Sequence, residues 1–465
     1  HSYRTRGCLI LEASSVSYGR ATPYLPVIDL LRAYFQLDPG DDGRKIREKI
    51  GGKLLALDQA LMPTLPALLS LVGATVDDPT WQSTDPALRR RRTLDGVKAL
   101  LLRESQVEPL IVIFEDLHWI DGETQAMLDS LVESLPAARM LLLVNYRPEY
   151  AHGWASKTCY RQLRLDPLTA ESTDDLLTAL LGEDLSLGPL KRLLIDRSER
   201  NPFFLEESVQ GLVETGALEG ERGAYRLIHT PETLRIPATA QAILAARIDR
   251  LSPEDKRLLQ VSAVIGKDVP LSLLQAVADE PEERLRAGLG RLRAAEFLYE
   301  ARLFPDVEHT FKHALTHEVA YGGLLHERRH ELHARIVGAI EALHRDRLGE
   351  HIDRLAHHAL QGERWEKAVG YLHQVGLRAI ARSANREAVA HLEQALETLR
   401  RLPESRENTE VAIDLRFELR TALLPLAALA RMERYLREAE ALARTLDDRR
   451  LGLALSGMIM PRMNA

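Results

Sequence analysis

Three continuous apolar runs of strand length lie in the N-terminal third of the chain: Gly7 to Ala13 (GCLILEA), Leu110 to Glu115 and Met140 to Val144. Long segments with apolar residues at helical spacing separate them, over Pro26 to Tyr34, Asp85 to Ser105 and Gln125 to Ser134. Strands joined through helices require crossover connections, which predicts a mostly parallel sheet with both faces covered. The runs LIVIF and MLLLV suit such a sheet, because they are apolar throughout instead of alternating.

Beyond Pro167 the strand signals fade. Residues 168 to 219 read as short helices forming a lid. Four further helices are expected over Ile243 to Leu251, Pro253 to Val264, Pro270 to Ala278 and Pro281 to Leu292, several opened by a proline whose missing N–H is no loss in a first turn. Two short strands, Phe297 to Ala301 and Val307 to Phe311, follow around an Arg-Leu-Phe-Pro turn. Three helices and then a hairpin give the order of a winged-helix module.

From Glu363 onward the pattern is helical and repetitive. Trp365, Ala368, Val369, Leu372, Val375 and Ala379 form one stripe, and Ala388, Val389, Leu392, Ala395 and Leu399 repeat it. A helix from Arg416 to Leu424, interrupted by Pro425, precedes a third version over Tyr435 to Leu446. Small and large positions alternating in this way let neighbouring helices pack closely, as in tetratricopeptide-type hairpins. The fold class expected is therefore multidomain α/β plus α: a P-loop-type parallel core over 1–166, a helical lid over 167–235, a winged-helix module with its following helix over 236–345, and tetratricopeptide-like repeats over 346–465.

Composition narrows the picture. The chain has 465 residues, 45% hydrophobic and 28% charged, which excludes wholesale disorder. Its net charge of −7 supplies no global attraction to nucleic acid or anionic lipid. No apolar run approaches the roughly 20 residues that cross a bilayer. Two cysteines, Cys8 and Cys159, form neither a disulfide framework nor a metal-ligand spacing, so a reducing cytoplasm is expected.

The chemistry centres on Leu110-Ile111-Val112-Ile113-Phe114-Glu115-Asp116. A buried parallel strand delivers carboxylates to its C-terminal edge, where open α/β sheets bind ligands. One carboxylate there can hold the hydration shell of Mg²⁺ and the next can polarise a water. A core strand running into an acidic surface turn fits the same seven residues equally well.

The continuation decides between these readings. The run LIVIFEDLHWIDGETQAMLDSL, with LLLVNYRPEY and ERNPFFLEE after it, resembles the ATPase core of bacterial signal-transduction ATPases with numerous domains. It is similar in particular to the ATPase regions that follow class III adenylate/guanylate cyclase domains, and FKHALTHEVAYGGLL and the closing repeats fit the same family. The resemblance implies ATP/ADP and Mg²⁺ as cofactors. It places Glu115 at the Mg²⁺-associated acidic position, although family members often carry Asp there, with Asp116 beside it as the water-activating carboxylate. Arg147 matches a sensor arginine that reads the γ-phosphate. Asn201 and Pro202 open the Asn-Pro-Phe-Phe turn that packs near the adenine, with Arg200 in place of the family's glycine. His313 matches a histidine that touches the β-phosphate of bound ADP.

A Walker A loop is not found in the sequence. Gly51-Gly52-Lys53 is the near match, but Leu54 stands where Ser or Thr is required, and the stretch reads as a loop. The resemblance puts the true loop one strand before GCLILEA, so this chain is expected to begin just after it and to lack ATPase activity as it stands, the activity belonging to a longer parent. His326-Glu327-Arg328-Arg329-His330 fits the zinc motif HExxH, yet two arginines beside the would-be metal, in a segment with ten of the sixteen histidines, argue for coincidence. The Arg89 to Arg92 run reads as a solvated face or a partner surface.

The function expected is a nucleotide switch that regulates an attached or partner effector, possible effectors including a cyclase. A transcription regulator with DNA-binding output, or a scaffold without catalysis, are the alternatives. Partners are expected to be proteins held by the repeats, and nucleotide-dependent self-association is a further expectation; membrane and nucleic acid are not expected. If their helix is continuous, Arg378, Arg382 and Arg386 form an exposed basic ridge for an acidic partner segment.

Overall fold

The computed structural model describes residues 7–15, 22–38, 40–228, 237–278, 280–302, 306–444 and 446. The chain divides into two compact units, one made of 1–161 with 346–465 and the other of 162–345. The sequence pattern separates the sheet core from the repeats; in the structure they belong to one unit. The boundary expected at 235 and the repeat residues 447–465 lie outside the described residues, as do Leu303 to Pro305 of the predicted turn.

The first unit opens with β1 (Leu9–Ser14), α1 (Leu25–Tyr34), α2 (Gly43–Leu57), α3 (Leu65–Val72), α4 (Pro79–Ser83) and α5 (Pro86–Val107), followed by β2 (Leu110–Glu115), α6 (Gly122–Val132) and β3 (Met140–Val144). The sheet order is β1-β2-β3 and every pair is parallel, with Leu9 beside Leu110 and Leu110 beside Met140. Leu110, Val112 and Phe114 of the central strand are fully buried. On β3, the outer strand among the described residues, Leu141 and Leu143 are 56% and 49% exposed. Polar caps set the helix starts: Asp42, Asp78, Asp85 and Asp121 each accept backbone N–H bonds at the head of α2, α4, α5 and α6. Caps of this kind are worth about 1 kcal/mol each.

Gly51-Gly52-Lys53 is helical and not a loop, because Asp42 caps α2 and buried Ile50 and Leu54, one turn apart, carry the helix through both glycines.

The second unit contains α7 (Ala170–Leu181), α8 (Gly188–Ser198), α9 (Pro202–Glu214), β4 (Leu218–Glu219), β5 (Arg226–Leu227), α10 (Ala240–Arg250), α11 (Pro253–Ile265), β6 (Asp268–Pro270), α12 (Leu271–Ala278), α13 (Glu282–Ala294), β7 (Leu298–Arg302), β8 (Glu308–Phe311), α14 (Ala314–Gly322) and α15 (His326–Leu343). Helices α7 to α9 share a core built on Leu177, Leu190, Leu194 and Leu205. The strands β6, β8 and β7 form an antiparallel sheet in that order beside α11 to α13. Arg247 of α10, 2% exposed, joins the two groups of helices: it donates to Glu207 and Glu214 of α9 and to the Ala295 carbonyl, and lies 4.7 Å over the Phe297 ring.

The chain returns to the first unit with α16 (Ile352–Gln361), α17 (Trp365–Ala381), α18 (Asn385–Leu399), α19 (Arg406–Leu423) and α20 (Leu429–Ala443), where each of α17 to α20 packs on the helix before it. The predicted apolar stripes are buried here, Trp365 only in part. A side chain at Gly376 would start 2.8 Å from Leu392, so this glycine is what lets α17 and α18 approach so closely. One apolar cluster runs from Leu11, Val112 and Leu128 of the sheet region into Val375, Leu392 and Tyr435 of the repeats.

The arginine ridge does not form. Ser383, at φ 58°, breaks the helix between α17 and α18, so spacing by four carries no common face. Arg378 is bound to Asp353 at 3.1 Å and to the Gly349 carbonyl, Arg382 is partly buried, and of the three only Arg386 is exposed. Among the described residues no helix is long and apolar enough to cross a membrane.

Candidate functional site

Glu115 is the last residue of β2 and its side chain is exposed. The next residue, Asp116, adopts the left-handed conformation at φ 59° and ψ 45°, which turns the chain sharply at the C-terminal edge of the sheet. Asn145, just past β3, holds this bend: its Oδ1 accepts the Asp116 N–H at 2.7 Å and its carbonyl accepts the Leu117 N–H at 3.0 Å. The Asn145 N–H in turn donates to the Phe114 carbonyl at 3.2 Å. Asn145 thus laces together the ends of two adjacent strands. Sequence reasoning passed over it; its one signal was a polar residue directly after an apolar strand.

Arg147 projects from the same edge, its guanidinium 5.6 Å from the Trp119 ring centroid. Among the described residues no group pairs with the carboxylates of Glu115 or Asp116. Two carboxylates and one guanidinium at the C-terminal edge of a parallel sheet suit a divalent cation with a phosphate. Asp121 plays a different part. It is buried, caps α6 through the Glu123 and Thr124 N–H groups at 3.0 and 2.9 Å, and also accepts the Tyr24 N–H at 3.1 Å. Burial pushes its carboxyl above the ordinary range despite these bonds.

In the second unit Asn201 caps α9, its Oδ1 accepting the Phe203 N–H at 3.0 Å, and Pro202 occupies the first turn. Arg200, standing where the resemblance expects glycine, has φ 60°, a conformation that glycine takes with least strain. His313, immediately before α14, comes against this turn: its ring meets Phe203 edge-on with centroids 4.5 Å apart. Its Nε2 is buried without a hydrogen-bond partner. Burial, and then Lys312, hold its pKa below the ordinary value, so the imidazole is neutral at neutral pH. The fold therefore brings His313 against Phe203 of the Asn-Pro-Phe-Phe turn, a residue far from it in sequence. Glu115, Asp116 and Arg147 belong to the other unit, and each group stands on its own geometry.

In the HExxH segment, His326 and His330 pack edge-to-face on α15 with centroids 3.9 Å apart, while Arg328 pairs with Glu331.

No family model matches this sequence. An uncharacterized protein of Rhizobium meliloti (strain 1021) is 27% identical over 375 residues, a match covering 79% of this chain and 35% of that protein's length. Among solved structures, the chain is similar to a signal-transduction ATPase with numerous domains carrying a tetratricopeptide repeat sensor, from Pyrococcus horikoshii. That superposition has a TM-score of 0.38 at 12% identity and covers 96% of this chain and 64% of the other.

Proposed function

We propose that this chain is the switch portion of a signal-transduction ATPase, in which ATP or ADP with Mg²⁺ binds at the C-terminal edge of the parallel sheet. The observation that carries the reading is the pair Glu115 and Asp116 at the end of β2, which no group pairs with among the described residues, at the same sheet edge as Arg147. In this reading Glu115 holds the water shell of Mg²⁺, Asp116 orients the attacking water, and Arg147 contacts the γ-phosphate. In the second unit, taken by itself, the Asn201-Pro202 turn and neutral His313 are the residues that the family resemblance makes candidates for nucleotide contact. A glycine-rich loop carrying Gly-Lys-Ser/Thr must supply the remaining phosphate contacts, since Lys53 lies inside α2.

The helices and sheet over 253–311 act as an internal winged-helix module and not as a DNA reader. Arg286, Arg291 and Arg293 of α13 are engaged by Glu282, Asp255 and Glu300, which leaves them poorly placed to neutralise phosphates. The repeats serve protein recognition, with an effector such as a cyclase as the output.

The test is made on a chain extended upstream to include such a loop. That chain should bind ATP with Mg²⁺, and Asp116→Asn should slow hydrolysis more than it weakens binding. Equal turnover in variant and parent would remove Asp116 from the mechanism. Absence of nucleotide binding in the extended chain would sink the reading as a whole.

A further inference from the structure

The bend between α17 and α18 is seated on the sheet region through two charged side chains, each lying against a glycine. A side chain at Gly73, at the end of α3, would start 3.9 Å from Nη2 of Arg382. One at Gly122, the first residue of α6, would start 2.9 Å from Oε1 of Glu387. The charged groups acting on Glu387 are Asp121 and Glu123 from the head of α6 and Arg90 from α5. Arg90 is already taken by Glu123, Nε to Oε2 at 2.7 Å, and Glu123 also accepts from the Tyr24 hydroxyl at 2.7 Å. Asp121 is spent on the α6 cap and the Tyr24 N–H. Glu387 thus faces two carboxylates and a guanidinium committed elsewhere, and its Oε2 is buried without a hydrogen-bond partner. A neutral carboxyl suits that position and a carboxylate does not.

We propose that Glu387 is a proton-operated latch: while its carboxyl is protonated the α17–α18 bend stays seated on the head of α6, and ionisation loosens the repeats from the sheet region. The latch stands on packing and charge alone and is independent of any nucleotide.

Burial first, then Glu123 and Asp121, push the Glu387 carboxyl up to about 7 from an ordinary 4.5, outweighing the bond it accepts from its own backbone N–H and the pull of Arg90. Between those values the seated state holds a proton that the lifted state has lost. Seating therefore weakens as pH rises through this window, by up to about tenfold per pH unit, and levels off above it. Asp121 is raised in the same direction and adds the same sign, so a variant must separate the two. Burial and Arg378 lower Arg382 only to about 10, so it stays charged throughout the window.

The experiment is backbone hydrogen exchange on the full chain from pH 5 to 8, corrected for intrinsic rates and read at the first turns of α6 and α18. The wild type should lose protection as pH rises. Glu387→Gln should keep it nearly constant, and Asp121→Asn, which retains the cap, should still show most of the loss. An equal loss in Glu387→Gln and wild type would overturn the latch. A second measurement needs no stable Gln variant: with ¹³C-labelled glutamate carboxyls in the wild type, one resonance, missing from Glu387→Asp, should titrate near 7. Midpoints near 4.5 for every glutamate would also overturn it.

Discussion

Arg247 in one unit and Glu387 in the other are both ionisable groups taken out of water, and their surroundings treat them oppositely. Around Arg247 the fold supplies an acceptor for each nitrogen of the guanidinium: Glu214 for Nε, Glu207 for Nη1, and Glu214 with the Ala295 carbonyl for Nη2. Around Glu387 it supplies like charge and an oxygen without a donor. The first arrangement fixes three segments in one geometry and leaves no reason to titrate near neutrality. The second holds its geometry only as long as a proton stays on. Burial of charge by itself thus says little about rigidity; the completeness of the partner set decides it.

The comparison can be broken most forcefully at the satisfied end. Arg247→Ala should destabilise the second unit by about 3–5 kcal/mol, because Glu207 loses its buried partner and Glu214 keeps only the partly exposed Arg250 at 3.8 Å. Glu207 is already pushed above its ordinary range by burial even with Arg247 beside it. Denaturant unfolding measures this, and a loss no larger than that of a surface substitution would mean that the clamp is not holding the helices together.

A smaller effect of opposite sign is expected at the unsatisfied end. Glu387→Gln should raise the melting temperature at pH 8 and change it far less at pH 4.5, where the wild-type group is neutral when folded and about half ionised when unfolded. A variant that is equally destabilised at both pH values would show that Glu387 contributes ordinary packing.

The smallest stability changes belong to the sheet edge. Asp116→Asn and Arg147→Ala should each shift stability by no more than about 0.5 kcal/mol, because neither side chain is buried in the core and asparagine tolerates the left-handed backbone of position 116. A large loss in thermal unfolding for either would make these residues structural supports and weaken the ligand-binding reading.

The sheet was legible because its strands are fully apolar, and several helix starts because a proline opens the first turn, as Pro253 does for α11. The failures share a different cause. Gly51 and Gly52 signal a loop locally, but buried Ile50 and Leu54 outvote them through tertiary packing. Arg378, Arg382 and Arg386 share a periodicity that the bend at Ser383 destroys, and no composition signal announces a left-handed serine. The merger of sheet and repeats into one unit was invisible because either apolar surface looks, on its own, like a core already complete. Of the candidate site, the carboxylates and Arg147 could be read from the sequence; Asn145, which shapes the bend between them, could not, since its role depends on a neighbouring strand that only the fold supplies.

The outer strand β3 has a practical side. Its five residues, Met140 to Val144, are aliphatic or thioether throughout, with no lysine, proline or bulge to discourage pairing, and two leucines stand in water. A strand edge of that kind is a template for any extended chain that meets it. At the concentrations used for purification, molecules of this chain should adhere edge to edge, and replacing Leu141 with lysine is the economical way to keep them apart in solution.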